Sequence, residues 1–152
     1  MIAGIAEILG AGREYHLFNS FEGLPPAQSI DGESSLKWQL DNADFNCLAD
    51  IAEAEKAIKL TGCNYYLHKG WFNQTLPNFK PARPIALLRL DGDWYESTLT
   101  SLQYLYPCVA KNGLIILDDY YHWDGCTKAV HDYLSSIKSG SKISHSEGVC
   151  FI

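Results

Sequence analysis

Apolar residues in this chain come in short blocks separated by polar, Gly- and Pro-bearing stretches, and the block spacing alternates between strand-like and helix-like. Glu14-Tyr15-His16-Leu17-Phe18 is a β-prone run ended by polar Asn19-Ser20. Residues 22–46 hold Gly23, Pro25, Pro26 and Gly32 among many polar positions, which predicts a long, functional connection. From Cys47 to Leu60 the positions Leu48, Ile51, Ala52 and Ile58 fit a helix, with Gly62 as its stop. A second β-prone run covers Asn64 to His68 and continues towards Gly70-Trp71-Phe72, and Pro77, Pro81 and Pro84 then argue against a helix.

Ile85-Ala86-Leu87-Leu88-Arg89-Leu90 is almost continuously apolar, which predicts a strand covered on both faces. Leu99, Leu102 and Tyr106 share a helix face closed by Pro107, and Gly113 introduces a second buried strand, Leu114 to Leu117. Ala129, Val130, Tyr133, Leu134 and Ile137 mark the next helix. Lys142–Ser146 and Val149–Ile152 flank Glu147-Gly148 as a hairpin. This alternation predicts a doubly wound α/β domain, mostly parallel, with an antiparallel hairpin at its end.

Composition narrows the class. The 152 residues are of single-domain length and 47% hydrophobic, so one domain over 1–152 with a true core is expected. Twelve Lys and Arg against 18 Asp and Glu give a net charge of −6. That argues against nucleic acid and against a polybasic membrane attachment. There is no apolar run long enough for a membrane span and no signal-peptide pattern at Met1 to Glu7. Five cysteines without C-x-x-C spacing speak against a disulfide framework or a zinc site, so a reducing cytoplasm is expected.

The candidate chemistry lies where the strands end. In open α/β sheets ligands bind at the carboxyl edge, and two strand ends here are acidic. Asp91-Gly92-Asp93 follows Leu90, and Asp118-Asp119 follows Leu117. If the two strands are neighbours, Asp91, Asp118 and Asp119 converge, and converging carboxylates repel unless a cation sits between them. An all-oxygen cluster suits Mg²⁺ or Mn²⁺. The competing reading is helix capping, which fits Asp93 well and the Asp118-Asp119 pair badly.

Asn19 and Ser20 could bond the ribose of a nucleotide-like cofactor, or form an ordinary turn. Trp71 could stack on adenine, or pack in the core. His122 is a further candidate base, with a solvated loop histidine as the alternative. His16, His68, His131 and His145 show no spacing that predicts a metal site.

Four segments, in order, carry a likeness. Asn19-Ser20-Phe21-Glu22-Gly23-Leu24-Pro25 resembles D-S-F-x-G-L-P of the TylF/MycF (macrocin O-methyltransferase) family. Gly70-Trp71-Phe72-Asn73-Gln74-Thr75-Leu76-Pro77 resembles its G-W-F-x-D-T-L-P. Leu88 to Thr98 resembles L-R-x-D-G-D-x-Y-E-S-T, and Asp118-Asp119-Tyr120 with Gly125-Cys126 and Ala129-Val130 resembles D-D-Y followed by G-C-x-x-A-V.

The resemblance implies a class I (Rossmann-like) fold and an S-adenosylmethionine- and Mg²⁺-dependent O-methyltransferase. Its partner would be a small-molecule hydroxyl substrate, a sugar or natural product, and a homo-oligomer is left open. It implies Asp91, Asp118 and Asp119 as metal ligands, Asp91 also as base, and Asn19, Ser20, Gly70 and Trp71 along the cofactor's ribose and adenine. The family's acids at Asn19 and Gln74 are amides here.

The resemblance also implies a strand and an E-x-G-x-x-x-G turn ahead of the first segment, where this chain has only Met1 to Gly12. Ile2, Ile5, Ala6 and Leu9 would be the remnant of the intervening helix, with Gly10-Ala11-Gly12 as its stop, and the domain would be N-terminally partial. Two other readings compete: an inactive methyltransferase-like binding domain, and a sugar-nucleotide transferase using Asp91-x-Asp93.

Overall fold

In the computed structural model the structure describes residues 12–152. The helix expected from Ile2, Ile5, Ala6 and Leu9 lies outside the described residues. In chain order the elements are β1 (Glu14–Asn19), α1 (Glu33–Asp41), α2 (Ile51–Lys59), β2 (Asn64–Lys69), the one-turn α3 (Phe72–Thr75), β3 (Ile85–Leu90), α4 (Tyr95–Leu105), β4 (Val109–Leu117), α5 (Asp124–Ser136), β5 (Ser144–Ser146) and β6 (Val149–Phe151). They group into two compact units.

Of the described residues, the first unit joins 12–25 with Asp44–Thr75. Its sheet is a parallel pair, β1 on β2, from Glu14 opposite Asn64 to Asn19 opposite Lys69. Helix α2 begins four residues later than its apolar spacing predicts. Asn46 and Cys47 sit at positive φ (36° and 50°), and Asp50 caps the helix by accepting from the Ala52 N–H at 2.8 Å. The β-prone run after His68 is cut at Gly70, where φ reaches 137° and the chain turns into α3.

The second unit joins Pro26–Ala43 with Leu76–Ile152. Its sheet runs β3-β4-β6-β5, with β3 parallel to β4 and the rest antiparallel. The terminal hairpin is as predicted: Glu147 (φ 49°) and Gly148 (φ 80°) form the two-residue turn, with both residues at the positive φ that such turns require. Leu88, Leu90, Ile115 and Leu117 are buried, and so are Leu102 and Leu105 of α4 and Ala129, Val130, Tyr133 and Leu134 of α5. Helices α4 and α5 pack on each other within this core.

Two expectations are corrected here. β3 is not covered evenly on both faces: Leu88 and Leu90 are buried while Ala86 and Arg89 are exposed, and Arg89 is turned to two carboxylates. The stretch 22–46 is not plain connection, because α1 and a 3-10 turn at Ser29–Asp31 lie within it.

Candidate functional site

Within the second unit, β3 and β4 end side by side. Leu90 pairs with Leu117, and the Asp118 N–H donates to the Leu90 carbonyl at 3.0 Å. The next residues of both segments therefore leave the sheet together, and one carboxylate oxygen each from Asp91, Asp118 and Asp119 lie within 4.8 Å of one another. Asp91 and Asp118 are exposed, and Asp119 is 9% exposed.

Each carboxylate is held differently. Arg89 shares the strand face of Asp91, two residues on. Its Nη1 reaches Asp91 at 2.8 Å, and its Nη2 and Nε reach Asp118 at 2.8 and 3.4 Å. Among the described residues, no cationic side chain pairs with Asp119. Its Oδ2 accepts from the Asp93 N–H at 3.0 Å. Burial pushes its carboxyl up to about 6, the Asp93 carboxylate adds to that, and the Asp93 N–H pulls the other way. Three carboxylates face one guanidinium, an imbalance of two negative charges with oxygen donors only, which fits a divalent hard cation.

Asp93 is not the cap of α4. The cap position is Trp94, whose side chain makes no capping hydrogen bond. Asp93 sits at φ 56° in a tight turn in which the Trp94 N–H donates to the Gly92 carbonyl at 2.6 Å. Such a conformation costs a non-glycine residue about 1–3 kcal/mol and needs support from its surroundings. The support is bilateral: the Asp93 carboxylate accepts from Trp123 Nε1 at 3.0 Å while its N–H serves Asp119. Burial raises the Asp93 carboxyl, and the indole N–H partly offsets that. Trp123 stands edge-on to Trp94 and Trp38, at 5.2 and 5.9 Å between ring centroids. His122 is exposed beside Trp123.

In the first unit, Asn19 and Ser20 end β1. The Asn19 Oδ1 accepts from the Phe21 N–H at 2.7 Å, and its carbonyl accepts from the Gly70 N–H at 3.0 Å. Ser20 Oγ accepts from the Glu22 N–H and donates to the Gly23 carbonyl, both at 3.1 Å. Trp71 is half-buried, and its carbonyl anchors α3 through Gln74, Thr75 and the Thr75 hydroxyl.

Sequence reasoning missed a histidine pair here. The β1–β2 register brings His16 Nδ1 to 3.0 Å from His68 Nε2, with Tyr66 and Phe18 stacked alongside. Only strand pairing brings these two residues, 52 apart in sequence, into that proximity. Burial lowers both imidazoles below their ordinary value; Glu14 partly opposes this at His16, while His16 adds to it at His68. Arg89 was legible as a residue type, but its bridging role needed the β3–β4 pairing.

Residues 1–151 match the family model of macrocin-O-methyltransferase (TylF). Over 79 residues the chain is 44% identical to the 8-demethyl-8-(2,3-dimethoxy-alpha-L-rhamnosyl)-tetracenomycin-C 4'-O-methyltransferase of Streptomyces olivaceus, covering 52% of this chain and 30% of that protein. Over 122 residues it is 35% identical to the demethyldecarbamoylnovobiocin O-methyltransferase of Streptomyces niveus, covering 76% of this chain and 45% of that one. The solved structure of the O-methyltransferase NovP superposes with a TM-score of 0.83 at 26% identity, over 99% of this chain and 64% of its own. The chain thus spans less than half the length of these two curated relatives. Its α/β fold is the one seen in O-methyltransferase structures, as the alternation of strands and helices predicted. By a match that runs from its first residue to its last but one, this chain belongs to the TylF macrocin-O-methyltransferase family.

Proposed function

We propose that this chain is the carboxylate-bearing part of an S-adenosylmethionine- and Mg²⁺-dependent O-methyltransferase acting on a hydroxyl of a sugar or other natural product. The observation that carries the reading is the convergence of Asp91, Asp118 and Asp119 at the ends of two adjacent parallel strands. When bound, Mg²⁺ would supply the positive charge that lowers an acceptor hydroxyl's pKa, and S-adenosylmethionine an electrophilic sulfonium methyl.

The chain's own residues divide the remaining work. Asp91, Asp118 and Asp119 hold the cation. Asp91 is also exposed enough to take the proton that an acceptor hydroxyl would give up. Arg89 keeps the two exposed carboxylates at fixed spacing with two charge-assisted contacts at 2.8 Å. The Asn19 amide offers hydrogen bonds of the kind a ribose takes, and the half-buried Trp71 indole offers a face of the kind adenine stacks on. Ser20 and Gly70 shape the two turns that carry them. The acceptor, the metal's identity and a cytoplasmic setting belong to the same proposal; reduced Cys63, Cys108, Cys126 and Cys150 support the setting.

Calorimetric titration of S-adenosylmethionine with and without Mg²⁺ tests it. The expected result is binding in both, with Mg²⁺ uptake lost in Asp91→Asn. Absence of S-adenosylmethionine heat would remove the methyl donor from the reading. Unchanged Mg²⁺ uptake by Asp91→Asn would remove the metal site.

A further inference from the structure

Asp31 is a carboxylate 3% exposed, set in the 3-10 turn Ser29–Asp31, far in sequence from either acidic segment. Its Oδ1 accepts from the Tyr95 N–H at 2.7 Å and its Oδ2 from the Gln28 N–H at 2.8 Å. Tyr95 is the first residue of α4, so Asp31 supplies, across 64 residues, the N-terminal cap that Trp94 lacks.

The same side chain also touches the start of α5. A Cβ built on Gly125 would stand 2.5 Å from Asp31 Oδ1, 2.9 Å from Asp31 Cα and 3.0 Å from the Tyr95 nitrogen. Only glycine permits that approach. On the other side, a Cβ on Gly32 would meet the Asp124 carboxylate at 2.7 Å. The backbone carbonyl of Asp31 is itself held by the buried Ser35 hydroxyl at 2.8 Å.

The placement matters because an acidic loop leads into each helix. Asp91-Gly92-Asp93 leads into α4, and Asp118 to Trp123 leads into α5. One buried carboxylate therefore bonds the far end of the first acidic loop and packs closely against the far end of the second. The near ends are fixed by β3 and β4 themselves. Within the loops, the Asp93 turn carries the N–H that orients Asp119, and that turn lies two residues from the Tyr95 N–H held by Asp31.

We propose that Asp31 is a positioning residue for the carboxylate cluster: by pinning the N-termini of α4 and α5 together it sets the separation of Asp91 from Asp118 and Asp119. The inference rests on the reading of those three residues as a cation site. It assigns to the 22–46 stretch a role in shaping that site.

The test compares Asp31→Asn with Leu134→Ala, a change to a buried residue near the far end of α5. Mn²⁺ is the probe, its free concentration read by electron paramagnetic resonance on the full chain, with the thermal midpoint of each variant in parallel. Asp31→Asn should weaken Mn²⁺ binding about tenfold, the scale of losing an outer partner of a ligand set. Leu134→Ala should lower the midpoint at least as far and change Mn²⁺ affinity less than twofold, roughly, since it lies near the end of α5 opposite to the one the acidic loop enters.

Wild-type affinity in Asp31→Asn overturns the inference, and so does an affinity loss in Leu134→Ala that follows its loss of stability. If wild-type protein takes up no Mn²⁺, the cluster reading itself fails. Amide exchange at Gly92 to Tyr95 and at Asp119 to Gly125 then decides the positioning role alone. Faster exchange in both loops of Asp31→Asn supports it, and unchanged exchange overturns it.

Discussion

Two parallel strand pairs in this chain end in opposite ways. β1 ends in neutral groups whose hydrogen bonds are closed locally, beside Lys69 at the end of β2: Asn19 serves Phe21 and Gly70, and Ser20 serves Glu22 and Gly23. β3 and β4 end in three carboxylates against one guanidinium, with a fourth carboxylate, Asp93, at positive φ beside them. The backbone architecture is the same, so the difference lies in side chains. A turn that satisfies itself is complete without a ligand. A cluster of unbalanced charge is held together against its own repulsion and is completed by a cation.

The sharpest way to break that contrast is to neutralise one residue on each side. Asp119→Asn should reduce Mn²⁺ affinity on the order of a hundredfold or more, since removing a ligand costs at least as much as removing its outer partner. Asn19→Ala should leave Mn²⁺ affinity unchanged. Calorimetric or resonance titration of both variants decides it, and a comparable metal defect in Asn19→Ala would erase the distinction.

Next in size is Gly125→Ala. The added Cβ meets Asp31 and the Tyr95 nitrogen at 3.0 Å or less, and two of those three atoms are backbone, so no side-chain rotation relieves it. Overpacking of this kind costs about 1–3 kcal/mol. Denaturant unfolding should show a loss near the upper end, with Mn²⁺ affinity falling in the same variant because both acidic loops lead into the displaced helices. A loss of stability with intact Mn²⁺ affinity would mean that the helix starts do not control the cluster.

Gly125 also shows how far local pattern reaches. The strands β1 to β3, the hairpin and the three converging aspartates are written in local apolar runs and in the polar residues that end them. The need for glycine at 125 is created by Asp31, in a different element of the same unit, and no local pattern records it. Helix α1 escaped for a different reason: its apolar pair Leu36 and Leu40 is exposed, and its buried residue is Ser35. It offers no apolar stripe to read. Asp93 read well as a helix cap because it lies two residues before α4, yet the cap comes from Asp31 and the Asp93 side chain is turned to Trp123. The family motifs supplied the cluster's residues. The fold supplies the arginine, the tryptophan and the distant carboxylate that hold them.

The smallest predicted effect separates the two strand pairs by the sign of their response to acid. Asp119 is raised to about 6, so without metal the folded protein holds that proton more tightly than the unfolded chain does. Its contribution to stability is fully present below about pH 4, the ordinary aspartate value, and is lost as pH rises through about 6. His16 and His68 are lowered, so their contribution is present above the ordinary histidine value and is lost as pH falls through their depressed values. Acidifying metal-free protein from about pH 7.5 to about 5, through the raised Asp119 value and the ordinary histidine value, should therefore slow amide exchange in the loops after β3 and β4 and speed it in β1 and β2, once intrinsic rates are divided out. Asp119→Asn should abolish the first change and leave the second. It should also make the metal-free protein more stable than wild type at the upper pH by about 1–2 kcal/mol, one pKa unit being about 1.4 kcal/mol. If both strand pairs respond with the same sign, the charge at the ends of β3 and β4 is balanced by something other than a bound cation.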